Sequence, residues 1–377
     1  MKLIRVTTVP TSLVSFCSGL LRELCVEGFD VIAISSPKDG ELEAFGNTEG
    51  VRTVGVPMER HISLFRDAIS LFRMVRVFQK EEPDIIHSMT PKAGLISMLA
   101  GWLVGVPYRI HTFTGLVWPT STGLRRRLLM FSDRITCFCA THIIPEGEGV
   151  KNDLVSGRIT SKPLKVLGHG NVRGVDMVYF DRTPEVENES RKVTQEGIFS
   201  FLFVGRIVRD KGIKELIAAF YKLLDLYPNT RLLLVGRFEE NLDPLDKQTI
   251  ELINTLDQVV VVGIKTDVRP YYASSDCFVL PSYREGFPNT VLEAGAMGLP
   301  CIVTDINGSR EIITDGFNGM IVPPKDESAL YDAMVSIIKN RSKREAMASN
   351  ARGYVASFYE QGYVRQCLKD FYKEILS

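Results

Sequence analysis

The sequence predicts an α/β protein built from two doubly wound domains. Short β-branched runs alternate with amphipathic stretches along the chain, and this alternation is typical of parallel sheets joined by helical crossovers. The runs are continuously apolar, which indicates strands that helices cover on both faces. The chain has 377 residues, 45% of them hydrophobic, and is therefore too long for one ordinary core.

Six apolar runs in the first half of the chain are predicted to be strands. They are KLIRVTT, DVIAIS, DIIHSM, YRIHTF, THIIP and LKVLG. Amphipathic periodicity predicts helices between them, near residues 16–27, 64–79, 92–103 and 124–132. Together these elements define a first domain over residues 1–183.

A polar stretch without apolar period, RTPEVENESRKVTQEG, interrupts the alternation and predicts a linker over residues 184–197. The alternation resumes in a second domain over residues 198–358. Its predicted strands are FSFLFVG, RLLLVG, QVVVVG, CFVLP, PCIVT and GMIVP. Three helices are predicted at the end of the chain, at 327–339, 342–357 and 361–376. We expect the helix within residues 359–377 to pack back toward the first domain.

Composition excludes several classes of protein. The 45 basic and 45 acidic residues balance, so the overall charge does not indicate nucleic-acid binding. Seven scattered cysteines are typical of small core residues in a reducing cytoplasm. The first residues lack the pattern of a signal peptide, and the most apolar stretch, residues 93–106, is too short and Gly-rich for a membrane span. We therefore expect a cytoplasmic protein.

The first candidate for a site lies just after a strand, where ligands bind in doubly wound sheets. FVGRIVRDKGIKEL places Gly205, Arg206 and Lys211 between a strand and the start of a helix. A helix N-terminus attracts anions through its free N–H groups and its dipole. Two cations beside it suit a diphosphate.

The second candidate, SYREGFPNTVLEAGAMGLP, follows the strand in CFVLP and places seven residues between Glu285 and Glu293. A helix is predicted to begin near residues 288–290, with Glu293 in its first turns. Gly286 lets the backbone approach a ligand closely. A carboxylate at position 293 can accept two hydrogen bonds from a sugar diol, and Glu285 can reach a second sugar. The alternative is a helix that merely carries favourable acids near its N-terminus.

The order of these motifs resembles glycosyltransferase family 4. The resemblance rests on GRIVRDKG, PSYREGFPNTVLEAGAMGLPCIVTD and GSREIITDGFNGMIVPP, and on the spacing of Glu285 and Glu293. It extends over the whole chain and is strongest over residues 203–324. In the first half, RIHTFTGLVW and GVDMVYF are similar to bacterial sugar transferases of capsule, O-antigen and exopolysaccharide synthesis. The resemblance implies a GT-B fold, with two Rossmann-like domains facing each other across a cleft.

The resemblance also implies a retaining transferase that uses a nucleotide sugar, with a UDP-sugar as the expected donor and no metal or other cofactor. Arg206 and Lys211 would hold the diphosphate and stabilise the leaving group. Glu285 would contact the donor sugar, and Glu293 would bind the ribose hydroxyls. We expect Glu285, Arg206 and Lys211 to be catalytic. The expected donor-binding set is Gly205, Arg206, Lys211, Glu285, Gly286, Phe287, Asn289, Thr290, Val291 and Glu293.

The acceptor, a glycan or lipid-linked glycan, would bind the first domain. Many relatives carry a histidine immediately before the glycine of the stretch here written HTFTG, whereas this chain has Thr114 there and His111 three residues earlier. The expected acceptor residues are Thr8, Ser12, His111, Thr112, Thr114 and Gly115.

A basic and apolar stretch, GLRRRLLMF, places Arg125, Arg126 and Arg127 beside apolar residues at helical spacing. We expect it to contact an anionic membrane peripherally, at the inner face of the cytoplasmic membrane. An ordinary amphipathic helix packed on the sheet is the alternative. Two other functions also stay open: a nucleotide-sugar 2-epimerase of the same fold, and a non-catalytic protein that binds a sugar.

Overall fold

The structure, a computed structural model, describes residues 1–59, 63–239 and 243–377. It divides into two compact units. The first comprises Met1–Arg173 together with Val364–Ser377, and the second comprises Gly174–Tyr363. Each unit contains one six-stranded sheet, and each neighbouring strand pair described is parallel. The predicted fold class, two doubly wound α/β halves, is confirmed.

In its described residues, the first unit contains six strands and seven α-helices, and residues Val364–Ser377 add most of a further helix to it. The strands are β1 (Lys2–Val6), β2 (Asp30–Ser35), β3 (Arg52–Gly55), β4 (Ile85–Met89), β5 (Tyr108–Phe113) and β6 (His142–Pro145). The helices are α1 (Pro10–Cys17), α2 (Leu20–Val26), α3 (Glu41–Glu49), α4 (Leu64–Glu81), α5 (Pro91–Val104), α6 (Gly123–Cys139) and α7 (Glu148–Ser156). The strand order is β3-β2-β1-β4-β5-β6.

The second unit repeats this arrangement. Its strands are β7 (Phe199–Val204), β8 (Thr230–Val235), β9 (Val259–Gly263), β10 (Cys277–Leu280), β11 (Cys301–Thr304) and β12 (Gly319–Val322), in the order β12-β11-β10-β7-β8-β9. The remaining helices are α8 (Pro184–Arg191), α9 (Ile213–Leu224), α10 (Lys247–Thr255), α11 (Arg269–Ala273), α12 (Asn289–Ala296), α13 (Ser309–Ile312), α14 (Glu327–Lys339), α15 (Arg341–Tyr359) and α16 (Gln361–Leu376).

The sheet of the first unit is covered on both faces because its side chains alternate along each strand. On β1, Ile4 belongs to one apolar cluster and Leu3 to another. The second of these clusters includes Tyr372, from the part of α16 that belongs to the first unit. The Tyr372 hydroxyl lies 2.8 Å from Nη1 of Arg5, a fully buried guanidinium on β1. Thus residues 364–377 are built into the core of the first unit.

Some predicted elements differ from the structure. The strand predicted in LKVLG is wrong: Leu164 makes only an isolated bridge to Ile143, since the run is short and enters a turn with Gly168 at φ 55°. Strand β3 was not predicted because its four residues are at least partly exposed and form no apolar run. The helix predicted over residues 16–27 is two helices, α1 and α2, because Gly19 adopts a left-handed conformation between them.

Residues 184–197, which are predicted to be a linker, lie within the second unit and begin with helix α8. The Thr183 side chain accepts a hydrogen bond from the Val186 N–H, and Pro184 occupies the first helical position. Both features favour helix initiation. In the described ranges, no helix is long and apolar enough to cross a membrane.

Candidate functional site

The predicted donor residues lie in two loops at the point where the strand order of the second sheet reverses. The reversal falls between the neighbouring strands β7 and β10. Gly205 and Arg206 follow β7, and residues 281–288 connect β10 to α12. Because the carboxyl ends of parallel strands meet at one edge of the sheet, the two loops are neighbours there.

Lys211 and Glu285 form an ion pair between these loops, with Lys211 Nζ donating to Glu285 Oε1. Their side chains are only 19% and 15% exposed. Lys211 ends a 3₁₀ turn, and Gly212, at φ 69°, leads from it into α9. A Cβ atom at Gly212 would lie 2.0 Å from the carbonyl oxygen of Pro281. Glycine therefore allows the Lys211 loop to pack directly on the end of β10.

A second ion pair, which sequence reasoning missed, joins the same two loops. Arg284 Nε donates to Asp210 Oδ2 at 2.9 Å, and the Tyr283 N–H donates to the Asp210 carbonyl oxygen at 2.8 Å. The Asp210 N–H in turn donates to Asp243 Oδ2 at 2.6 Å. The only signal in the sequence is the opposite charge of neighbours of two predicted residues, Asp210 beside Lys211 and Arg284 beside Glu285. These bonds hold the loops in register.

Arg206 has a different partner among the described residues. Its Nη1 donates to Glu239 Oε2 at 2.7 Å, while the Arg206 side chain stays about half exposed. Burial acts to raise the pKa of the Glu239 carboxyl, but hydrogen bonds and charge from Arg206 and Arg237 hold that pKa below its usual value. The predicted cation is therefore held by a carboxylate that follows β8, a residue the sequence did not indicate.

The turn before α12 is seated against Gly308. A Cβ atom at Gly308 would lie 2.5 Å from the Gly286 carbonyl oxygen and 2.8 Å from Phe287 Cα. Gly308 has a φ of 73°, which side chains rarely adopt. Phe287 is buried, and its ring centroid lies 5.4 Å from that of Tyr359. The backbone of the turn thus has little freedom to move toward Gly308.

Helix α12 begins at Asn289 and carries Glu293 on its buried side. The hydroxyl of the buried Tyr272 lies 3.2 Å from Glu293 Oε2 and 3.3 Å from the Thr290 carbonyl oxygen. Tyr272 was not predicted, and it orients the Glu293 carboxylate relative to the first turn of the helix. The side chain of Val291 is fully buried in the core, so only its backbone could contact a ligand.

In the first unit, the order of the strands reverses between β1 and β4. Thr8 follows β1, and its Oγ1 lies 2.7 Å from Oγ1 of Thr90, which follows β4. Thr90 has a φ of 73°, an outlier for a β-branched residue. Ser12 lies nearby in sequence, half-buried in α1, and its N–H donates to the Val9 carbonyl oxygen. Thr90 is a residue at this reversal that sequence reasoning missed.

His111 and Thr112, two predicted acceptor residues, lie inside the first unit. The His111 Nδ1 is 2.8 Å from Ser88 Oγ, and burial lowers the pKa of His111 to about 3, so its imidazole is neutral. Thr112 is also buried, and its Oγ1 lies 2.7 Å from His87 Nε2. Both side chains are therefore buried, and neither has an exposed surface that an acceptor could contact.

Thr114 and Gly115 follow β5 and are half-exposed, unlike the two residues before them. Gly115 has a φ of 115°, a conformation that requires glycine. Ser12 is half-buried near the same carboxyl edge of the first sheet, whereas Thr8, which also follows a strand there, is buried. The predicted acceptor residues that the structure leaves accessible are therefore Ser12, Thr114 and Gly115.

Comparison with known protein families agrees with this geometry. The family model described as glycosyl transferases group 1 matches residues 185–354, and that of the glycosyl transferase 4-like domain matches residues 14–167. The chain is 32% identical to the capsular polysaccharide biosynthesis glycosyltransferase CapM of Staphylococcus aureus, over 100% of this chain and 97% of that protein. It is 27% identical to the UDP-Gal:alpha-D-GlcNAc-diphosphoundecaprenol alpha-1,3-galactosyltransferase of Escherichia coli, over 87% and 85%.

Solved structures share the fold. Anabaena HepE in complex with UDP superposes with a TM-score of 0.82 at 17% identity, covering 99% of this chain and 100% of HepE. A glycosyltransferase from Rickettsia africae gives 0.79 at 21% identity, covering 100% and 98%. The family models and the curated relatives thus identify a sugar-transferring enzyme. The chain belongs to the family-4-type glycosyltransferases with the GT-B fold, which argues against the epimerase and the non-catalytic alternatives.

Proposed function

We propose that the protein transfers a sugar from a UDP-sugar, with retention of anomeric configuration, to a glycan or lipid-linked glycan during synthesis of a bacterial surface polysaccharide. The observation that carries the proposal is the ion pair between Lys211 and Glu285, at the reversal of strand order in the second sheet. A cation and an acid that touch there can bind the two ends of one bond, the phosphate that leaves and the sugar that is transferred.

The donor would be held by charge and by hydrogen bonds. The Lys211 ammonium would neutralise the departing diphosphate, and Arg206 would add a second positive charge from its exposed position after β7. Glu285 accepts from Lys211 through Oε1 and can accept from sugar hydroxyls through Oε2. Glu293, oriented by Tyr272, would accept two hydrogen bonds from the ribose diol. These cations supply the charge stabilisation for which many transferases use a metal.

Retention requires that the acceptor hydroxyl attack from the face that the diphosphate leaves. The bond between the sugar anomeric carbon and the phosphate oxygen breaks, and a new bond forms from that carbon to the acceptor oxygen. The acceptor proton passes to an oxygen of the departing phosphate. This scheme needs no protein base, in keeping with a His111 imidazole that is buried and bonded to Ser88.

The donor base and the acceptor class are supported by what similar proteins use. The Escherichia coli relative is named for UDP-Gal and for an acceptor linked to diphosphoundecaprenol, and HepE was crystallised with UDP. The Staphylococcus aureus relative is named for capsule synthesis. A lipid-linked acceptor would place this protein at the inner face of the cytoplasmic membrane. The exposed Arg125, Arg126 and Arg127 on α6 suit peripheral contact there.

Thermal unfolding with UDP, GDP and ADP tests the donor site. A ligand at one hundred times its Kd should stabilise the protein by about 2.7 kcal/mol. We expect UDP to raise the Tm of wild type and of Glu345→Gln, which changes an exposed glutamate on α15, but not that of Glu293→Gln. If no nucleotide shifts the wild-type Tm, or if Glu293→Gln responds like wild type, the donor site is wrongly placed. NMR of the first product would test retention, and an inverted anomeric centre would contradict it.

A further inference from the structure

Helix α6 of the first unit exposes a stripe of large apolar residues, although other apolar residues of the same helix pack on the core. Leu124, Leu128, Phe131 and Phe138 are exposed, Leu124 to 72%, and their spacing places them along one side of the helix. The buried side of α6 carries Asp133, Thr136 and two cysteines, and three partly buried apolar residues of the helix pack against the core cluster. An amphipathic helix that only packs on a sheet does not expose a second apolar stripe of this size. The stripe of α6 therefore requires another explanation.

Helix α4 carries a second stripe of the same kind. Phe65, Ile69 and Phe72 are exposed, Phe65 to 78%, and again have the spacing of one helix side. The guanidinium carbon of Arg76 lies 4.3 Å from the centroid of the Phe72 ring. A basic side chain therefore lies directly beside the stripe of α4, and on α6 Arg125 to Arg127 likewise follow Leu124.

The two stripes lie on the same layer of the first unit. Helix α5 packs against both α4 and α6, and each of the three helices precedes the next strand of the parallel sheet, so their N-terminal ends share one edge. Neighbouring helix axes are about 8–10 Å apart, which places the stripes roughly 16–20 Å from each other. Helix α5 carries one charged residue, Lys92, and exposes Trp102 at its far end. A single flat surface can therefore touch both stripes.

The charge of this layer is one-sided. Its exposed basic residues are Arg66, Arg73, Arg76 and Lys80 on α4, and Arg125, Arg126, Arg127 and Arg134 on α6. The acids of the three helices are Asp67, which is half-buried and paired with Lys92, and Glu81 and Asp133, which are buried. No acidic side chain in residues 64–81, 91–104 and 123–139 is exposed. The layer offers apolar and cationic groups together.

We propose that this layer, the exposed stripes of α4 and α6 with their flanking arginines, is the face by which the protein lies on an anionic lipid bilayer. A bilayer offers anionic headgroups and an apolar interior at adjacent depths, which matches arginines that border phenylalanines and leucines. The shared N-terminal ends of the helices lie at the carboxyl edge of the sheet, where Thr114 and Gly115 are accessible. The contact therefore involves α4 as well as the three arginines of α6. The inference rests on the proposed lipid-linked acceptor for its purpose, but not for its geometry.

Sedimentation of the full chain with vesicles tests the proposal. We expect wild type to pellet with vesicles of 30% phosphatidylglycerol in phosphatidylcholine, and to stay in solution with phosphatidylcholine alone. Each basic side chain contributes about fivefold to the partition coefficient, so R125E/R126E/R127E should lower it by at least roughly a hundredfold. F65S/F72S should lower it by roughly tenfold or more through α4 alone. The control K247E/K339E/K343E makes the same charge change at exposed sites of the second unit and should bind like wild type.

Three results would overturn the proposal. They are wild type that stays in solution with anionic vesicles, an F65S/F72S variant that pellets like wild type, and a wild-type dimer in gel filtration that F65S/F72S converts to monomer without changing vesicle binding. The last result would make the layer a protein interface. The UDP-induced Tm shift, measured on the same samples, separates this failure from failure of the proposed activity: a retained shift with no vesicle binding overturns only the membrane face.

Discussion

Replacing Gly308 by alanine should disturb the turn of the donor site without replacing a predicted donor residue. Gly308 adopts φ 73° and ψ −52° before α13. The new methyl group would lie 2.5 Å from the Gly286 carbonyl oxygen and 2.7 Å from Pro288 Cδ. Contacts below 3.0 Å with backbone cannot be relieved by rotating a side chain, so the turn itself must move.

The size of the effect can be worked out with a control. Gly316 has a nearly equal φ of 75°, but a Cβ atom there would meet nothing within 4 Å. Backbone strain alone should cost Gly316→Ala about 1–2 kcal/mol. Gly308→Ala should cost at least this much in strain, because φ 73° with ψ −52° lies near the rare γ-turn conformation, and a further ~1–3 kcal/mol for overpacking against the turn. For a unit of this size, each kcal/mol lowers the Tm by roughly 2–4 °C.

The measurement is thermal unfolding of both variants with and without UDP. We expect both variants to be less stable than wild type, and only Gly308→Ala to lose the UDP-induced rise in Tm. The reasoning is refuted if Gly308→Ala keeps a rise equal to that of wild type, because the turn at Gly286 would then not bind the donor. It is also refuted if Gly316→Ala loses the rise, since strain remote from the turn would then suffice.

Two further predictions concern Gly94 and Asp133 of the first unit and use the same thermal assay, with Gly353 of the second unit as a comparison site. Gly94→Ala should destabilise the protein by about 1–3 kcal/mol, because the new Cβ atom would lie 2.3 Å from Cε1 of His111. Gly353→Ala should instead stabilise the protein by ~0.5–1 kcal/mol, because Gly353 lies in a helix and a Cβ atom there would meet nothing within 4 Å. Equal effects of the two substitutions would contradict the packing of Gly94 against His111. Burial raises the pKa of Asp133 from 3.8 to about 7, so the folded state holds a proton that the unfolded state loses, and the free energy of unfolding falls as pH rises from 4 to 7. Over this range the free energy of unfolding of Asp133→Asn, relative to that of wild type, should rise by up to about 4 kcal/mol. A constant difference between the two proteins from pH 4 to pH 8 would contradict the shift.

Much of the fold could be predicted because buried parallel strands are local patterns. Strands β2 and β5 and helices α14 and α16 have the bounds that the sequence predicts, since an apolar run or a regular period ends sharply at each. Strand β3 lies at the edge of its sheet and is only partly buried, so its short run carries no such signal.

The candidate site could be predicted only in part. Its position after two strands follows from the rule for doubly wound sheets, and Lys211 and Glu285 do meet at the reversal of strand order. Tyr272 and Gly308 lie on other elements, and the residues beside them in the sequence do not show that they contact α12 and the turn before it. The expectation that His111 contacts the acceptor does not fit its burial. The side chain of a histidine within a strand can point inward or outward, and the side chain of His111 points inward.

The orientation of α6 shows why a periodic pattern alone does not assign a helix face. Its sequence has one apolar side and several polar positions, which is the pattern of a helix that packs its apolar side on a sheet. In the structure, Leu129 and Met130 pack toward the core, but Asp133 is buried with them while Leu124 and Phe131 are exposed. Burial raises the pKa of Asp133 to about 7, so this orientation has an electrostatic cost when the carboxyl is ionised. A helix that bears such a cost while Leu124, Leu128, Phe131 and Phe138 are exposed is better explained by a surface that covers these four residues than by the stability of the unit alone.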